Sequence, residues 1–290
     1  MKKYRAILAI ALILMTAVSC DKKEEPMNTL QYRLSWIYSE DSVELFEYNS
    51  GGRVSSWEYN YGSGTVWATA IKSTYEYEDG GNAIFIKSDE NNGAECRVFR
   101  ETLYLNQDGI AVRAEGTVAI YKDNGELLIM MKNYTADFHY SSTRHLEKIN
   151  VVEKRTDGSG WEEPDGLEWV AELDWDEGNL QSFVSYSNPS RPFVTKRYSY
   201  LKGPGAKYAP VVEGSVLRNY YTALQYQGVF GHQSLGLVSE VKSTYQLGEQ
   251  VDTKYTYDVA YSSSDSWVEG CTEISGSKEI EYIFAWDKNI

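Results

Sequence analysis

The chain has 290 residues, 42% of them hydrophobic and 24% charged, which is an ordinary globular composition with length for one large domain or two small ones. Its 24 Tyr, 8 Trp and 8 Phe favour strands and bury large areas, so the expectation shifts toward an all-β protein. The net charge of -14 repels phosphate backbones and argues against a nucleic-acid partner.

The N-terminus, "MKKYRAILAIALILMTAVSC", has a basic start and an apolar run from Ala6 to Val18. As a helix that run rises about 20 Å, short of a hydrocarbon core of about 30 Å. It therefore reads as a secretory signal over residues 1–19. The stretch "AVSC" resembles a bacterial lipobox. The resemblance implies cleavage before Cys20, with acyl chains on its thiol and new amine. A plain secretory peptide with an incidental cysteine is the other reading. Loss of Lys2, Lys3 and Arg5 takes the charge from -14 to -17. Residues 20–29 contain "DKKEEP" and read as a polar tether. Within it, Lys23 to Glu25 resemble the Lys-acidic-acidic surface-export signal of Bacteroides-type lipoproteins, and equally suit a solvated linker.

From Leu30 a single β-domain is expected to run to residue 290. Leu30, Tyr32, Leu34, Trp36 and Tyr38 alternate with period two, the mark of a strand with one buried face. "SEDS" turns the chain, and "FEYNSGGRV" turns it again before Trp57, Tyr59 and Tyr61 resume the alternation. Looser copies follow at "YEYEDGGNAIFI", "LYLNQDGIAVRA" and "LDWDEGNLQSF". Asn, Asp and Gly tolerate the positive φ of tight hairpins, so at least one of Gly51 and Gly52 is expected there. Arg53, just after the glycines, is placed to lie over a neighbouring ring. Sequential hairpins predict an antiparallel meander that curves into an open or closed barrel-like sheet.

Residues 164–210 hold five of the six prolines and read as long loops and edge segments. In "GSVLRNYYTALQYQG", Val216, Leu217, Tyr220, Tyr221 and Leu224 share one helical face. Ser215 is placed to cap the start and Gly228 the end, predicting one short helix at 215–227. Cys96 and Cys271 lie in strand-like runs. Buried free thiols fit them, although an oxidising compartment also permits a disulfide.

The hairpins loosely resemble the tyrosine-aspartate repeats of bacterial toxin shells. A closer resemblance is to a family of Bacteroides-type lipoproteins of unknown function with a porin-like fold. It rests on the lipobox start, the "FEYNSGGRV" hairpins, and "YQGVFGHQSLGLVSEV" followed by "TKYTYDVAY". The resemblance implies a curved β-sheet and supplies no reaction, cofactor or catalytic residues.

Few residue patterns in the chain suggest chemistry. His139, His145 and His232 lack the spacing of a zinc site. "GHQSLG" carries one residue too many for a nucleophile elbow. "DWDEGN" lacks the Gly and Glu positions of a calcium loop and suits a hairpin turn. No catalytic residue, metal ligand or cofactor is assigned. The loop "TDGSGWEEPDG" offers Trp161 as a stacking ring, with Asp157, Glu162 and Asp165 as hydroxyl acceptors for a neutral glycan. The bland alternative is a Trp161 packed under its own loop.

The expectation is a non-enzymatic binding or scaffold lipoprotein of the outer membrane, exposed at the cell surface. It contacts the membrane through its N-terminal lipid alone and meets a neutral glycan or a surface protein. Charged residues punctuate the strands, so the barrel is not expected to be a pore. The alternative is a hydrolase of an extracellular polymer, which needs two carboxylates about 5–10 Å apart.

Overall fold

The computed structural model describes residues 32–63, 66–91, 95–122, 127–157, 159–202, 206, 221–261 and 266–288. Period-two alternation becomes strand almost throughout. The first half holds β1 (Tyr32–Tyr38), β2 (Ser42–Tyr48), β3 (Val54–Ser63), β4 (Val66–Tyr77), β5 (Ala83–Asn91), β6 (Glu95–Leu105), β7 (Ala111–Lys122) and β8 (Leu127–Tyr140). The second holds β9 (Leu146–Thr156), β10 (Leu167–Asp176), β11 (Asn179–Tyr186), β12 (Val194–Tyr200), helix α1 (Thr222–Tyr226), β13 (Val238–Tyr245), β14 (Gln250–Tyr261), β15 (Ser266–Ser275) and β16 (Lys278–Lys288).

Each strand pairs antiparallel with its sequence neighbours, and β1 pairs with β16, so the sixteen strands form one closed barrel. Closure leaves no unpaired sheet edge. Alternation sorts each strand into two faces. On β5, Ile84, Ile86 and Ser88 are buried, whereas Phe85 and Lys87 are exposed. The cross-strand partners of the buried set, Leu103, Glu101 and Phe99, are buried as well. The apolar core thus lies inside the barrel.

Tyr32 and Lys288 pair at one rim, here called proximal. That rim carries a recurring turn. Asn49 and Asn106 each accept a backbone N–H from a glycine three residues on, Gly52 (2.9 Å) and Gly109 (3.0 Å). Their side-chain oxygens also accept two further backbone N–H groups at 3.0 Å. Both glycines have positive φ, 79° and 77°. Glu78 to Gly81 and Ser141 to Arg144 close in the same way, the latter with a positive φ of 61° at Arg144. Glu177 and Gly178 form a two-residue turn with φ of 48° and 77°, the conformation that matches the twist of a tight hairpin.

Aromatic residues close to this rim tie strands in pairs. The Tyr48 hydroxyl donates to the Leu34 carbonyl, Trp175 Nε1 to Leu146, Tyr200 to Leu180 and Trp286 Nε1 to Val268, each at 2.7 Å. In every case a strand running toward the rim reaches back to the strand before it. Arg53 lies over the Tyr77 ring at 5.0 Å, as its place after the glycines suggests.

One expectation changes. The proline-rich region is not a run of loops and edges: β10, β11 and β12 are full members with partners on both sides. Pro164, Pro189 and Pro192 fall between strands, where no ladder N–H is needed. The helix occupies Thr222–Tyr226 among the described residues, and Gly228, with φ of 71°, ends it. Ser215 and the first part of the predicted helix lie outside the described residues. Cys96 and Cys271 are both free: Cys271 is buried, while Cys96 is half-buried.

Gly116 is the tightest glycine of the wall. A Cβ there would stand 2.7 Å from the Arg100 carbonyl oxygen and 2.6 Å from the Tyr134 hydroxyl. Gly116→Ala is expected to destabilise the barrel by about 1–3 kcal/mol in denaturant unfolding. Gly51→Ala, whose Cβ meets only Asn49 at 3.4 Å, should stay within about 0.5 kcal/mol of wild type.

Candidate functional site

A sixteen-strand barrel encloses more space than its wall side chains fill. At the proximal end the connection from β12 to β13 supplies the missing atoms. Tyr221, Ala223, Leu224, Val229 and Phe230 are buried in the same core as the wall. The Tyr221 hydroxyl donates to Glu101 Oε1 and that of Tyr134 to Glu101 Oε2, both at 2.7 Å. Gln227 binds the Gly52 carbonyl (3.1 Å) and the Val54 N–H (3.0 Å). Farther on, the Ala111 N–H donates to the Val229 carbonyl, and the His232 N–H to Arg144. The Gly236 N–H donates to Asn179 Oδ1 at 2.7 Å. Residues 221–237 are therefore stitched to β3, β6, β7 and the turns after β8 and β10, across the proximal mouth.

The motif "GHQSLG" belongs to this seal. Ser234 Oγ accepts the Leu180 N–H (3.1 Å) and contacts the Tyr200 hydroxyl (2.9 Å). The His232 ring meets His145 edge-on at 5.6 Å, and His145 rests against Trp175 at 4.5 Å. Burial and His232 hold the His145 pKa below its ordinary value. These residues join loop to wall. His139 instead pairs with Asn150 on an exposed surface. Among the described residues, no group of three His, Cys, Asp or Glu side chains is arranged to hold a metal ion.

Toward the distal rim the inward face becomes polar and half-buried. Tyr255 and Glu273, paired across β14 and β15, lie close to Tyr282. Glu44 and Tyr59, paired across β2 and β3, continue the stripe. Trp57 Nε1 donates to Glu44 at 2.9 Å. Enclosure by the wall pushes the Glu44 pKa up to about 7, against the pull of the Trp57 hydrogen bond. Burial likewise raises Glu273, opposed by its hydrogen bond with Tyr282 and by Lys278. Cys271 is pushed up to about 12 by burial, then by Glu273 and Asp258. Burial lowers the pKa of Lys196, on the inward face of β12. The register sets Glu44 and Glu273 three strands and four residues apart, a backbone separation on the order of 20 Å.

The loop singled out from the sequence joins β9 to β10 at the distal rim. Trp161 is 55% exposed, so the alternative of a ring packed under its loop does not hold. Asp157 accepts the Ser159 N–H (2.8 Å) and hydroxyl (2.7 Å). Those bonds hold its pKa below the usual carboxylate range. Glu162 accepts a hydrogen bond from Asn133. Asp157 and Glu162 therefore brace the loop, while Trp161 and Asp165 stand exposed. Sequence reasoning missed Glu44, Glu101 and Glu273. In "SVELFEY" either alternating set could have faced inward, so nothing in the strand itself singles out Glu44.

The outer face carries charge in mid-strand. Lys72 pairs with Glu58, and Arg100 with Asp89 at 3.4 Å. Arg113 pairs with Glu115 at 2.7 Å, and Lys242 with Glu240 at 3.4 Å. Glu172, Lys148 and Lys254 occupy equivalent outward positions.

Replacing Glu44 tests the polar stripe. Folded Glu44 keeps its proton to about pH 7, against a model value of 4.5. Between those values the folded state binds more protons, so this contribution to stability is full at low pH and is lost as pH rises through about 7. Glu44→Gln retains an acceptor for Trp57. It should melt above wild type at about pH 8 and lose that advantage at about pH 4.

No known family profile and no curated protein matches this sequence. Solved structures do. A porin-like protein from Bacteroides uniformis aligns over 88% of this chain and 98% of its own, with a TM-score of 0.55 and 16% identity. A porin-like protein from Bacteroides vulgatus aligns over the same shares, with a TM-score of 0.52 and 12% identity. At these identities the likeness concerns the fold, and this chain shares the barrel architecture of those proteins.

Proposed function

We propose that the protein is a lipid-anchored, non-enzymatic binding or scaffold protein of the outer membrane, with its barrel in water rather than in the bilayer. The observation that carries this is the distribution of charge: ion pairs such as Lys72–Glu58 and Arg100–Asp89 at mid-strand outside, an apolar core inside. A lipid-facing barrel needs the reverse, an apolar outer band. Each Lys or Arg at the bilayer midplane costs about 2–4 kcal/mol. The seal over residues 221–237 also argues against a through-channel. What this chain takes from the porin-like proteins is the architecture.

The anchor rests on the lipobox-like stretch before Cys20. The wall begins at Tyr32, on the proximal rim. Residues 21–31 span at most about 40 Å, which is the reach of a tether between a lipid on Cys20 and the barrel. Trp161 and Asp165 stand exposed on the distal rim, and a neutral glycan is the better partner for an acidic protein. One ring contributes modestly, so binding should be weak.

Cys20→Ala should abolish labelling by a fatty-acid probe and release the protein from membranes. Equal labelling of the variant would refute the anchor. Trp161→Ala should weaken binding of a neutral oligosaccharide by about tenfold in calorimetry. If wild type binds none at about 10 mM, the loop is not a glycan site.

A further inference from the structure

On the outer wall of β4–β7, four residues line up across the strands in one row: Glu76, Phe85, Thr102 and Glu115. Beside Phe85 and Thr102, in the next row, lie Lys87 and Arg100, themselves a cross-strand pair. These six side chains line a concavity of about 440 Å³. The concavity is open to solvent, so it suits a ligand that lies along the wall rather than one that is enclosed. The short Thr102 between two long neighbours makes the dip. Phe85 is 46% exposed, a large apolar ring left uncovered among charges.

The charged groups are held in position. Arg113 Nε donates to Glu115 Oε1 at 2.8 Å, and the Tyr104 hydroxyl to Oε2 at 3.4 Å. Arg100 donates to the Phe99 carbonyl at 2.8 Å and pairs with Asp89. Such bracing lowers the ordering cost of binding. The two carboxylates and two cations sum to zero in a chain of net charge -14. An anion would meet Glu76 and Glu115, and a cation would meet Lys87 and Arg100. A purely apolar ligand finds one ring and a border of charge. A neutral molecule with one C–H face and a rim of hydroxyls uses every group: the ring for its face, the cations as donors, the carboxylates as acceptors.

We propose that this concavity on β4–β7 binds a neutral saccharide, stacked on Phe85 and hydrogen-bonded by the flanking charged side chains. The site is separate from the Trp161 loop and stands on its own geometry. It is tested with the full chain in detergent micelles, by saturation-transfer NMR and calorimetry. The probes are cellohexaose, maltohexaose, xylohexaose and mannohexaose at up to about 10 mM. Measurements in the Trp161→Ala background remove the stacking ring of the loop, and the second substitutions then isolate this site. That protein is expected to bind at least one probe. Adding Phe85→Ala, or Thr102→Trp to fill the dip, should weaken binding by about tenfold or more. Both positions are on the outer surface, and a folding defect in one variant leaves the other to decide. No binding in the Trp161→Ala background, or binding that neither second substitution weakens, overturns the proposal. Equal binding by wild type and Trp161→Ala refutes only the loop.

Discussion

Closing sixteen strands on themselves removes every sheet edge and creates a lumen that the wall cannot fill. Unfilled apolar space loses packing, so the chain has to bring atoms in or let water in. It brings atoms in at one end and lines the other with polar side chains. Near the proximal rim, α1 and the residues after it enter the barrel and bury Leu224 and Phe230 against the wall. Near the distal rim the inward side chains become tyrosines, carboxylates and lysines, which tolerate water.

The seal depends on a buried carboxylate. Glu101 is only 4% exposed, and its two oxygens take the hydroxyls of Tyr134 and Tyr221. A carboxylate so placed is strongly unfavourable without those donors. Tyr134 belongs to the wall and Tyr221 to the segment inside, so the pairing fixes one against the other. Gly116, in register with Tyr134, leaves room for its ring. A small residue, an aromatic and an acid on three adjacent strands thus act as one clamp.

The barrel shares its form with proteins described as porin-like, and its outer face mixes ion pairs such as Arg100–Asp89 with exposed apolar side chains such as Trp36 and Leu45. Outward ion pairs such as Arg113–Glu115 add little stability individually at an exposed surface. Their effect is to keep the outer wall compatible with water, while the inward aliphatic residues contribute the hydrophobic driving force.

Much of this was legible along the chain. Period-two alternation announced strands, and "NSGG", "NQDG" and "DEGN" announced tight turns, because positive φ restricts which residues can occupy them. Gly228 marked the end of α1 for the same reason. The proline-rich stretch was misjudged, since proline forbids a ladder hydrogen bond only at its own position and says nothing about strands a few residues away. What the amino-acid order by itself determined is local: strand, turn, and one helical segment, each set by backbone geometry within a few residues. Which alternating set of "SVELFEY" faces inward, whether β1 meets β16, and the joining of Glu101 to Tyr221 were decided by the tertiary structure. Those choices depend on distant partners, such as Ser35 and the Ala285 carbonyl, 250 residues apart. No local rule encodes them, because the free energy that selects them comes from burying one face of the whole closed sheet at once.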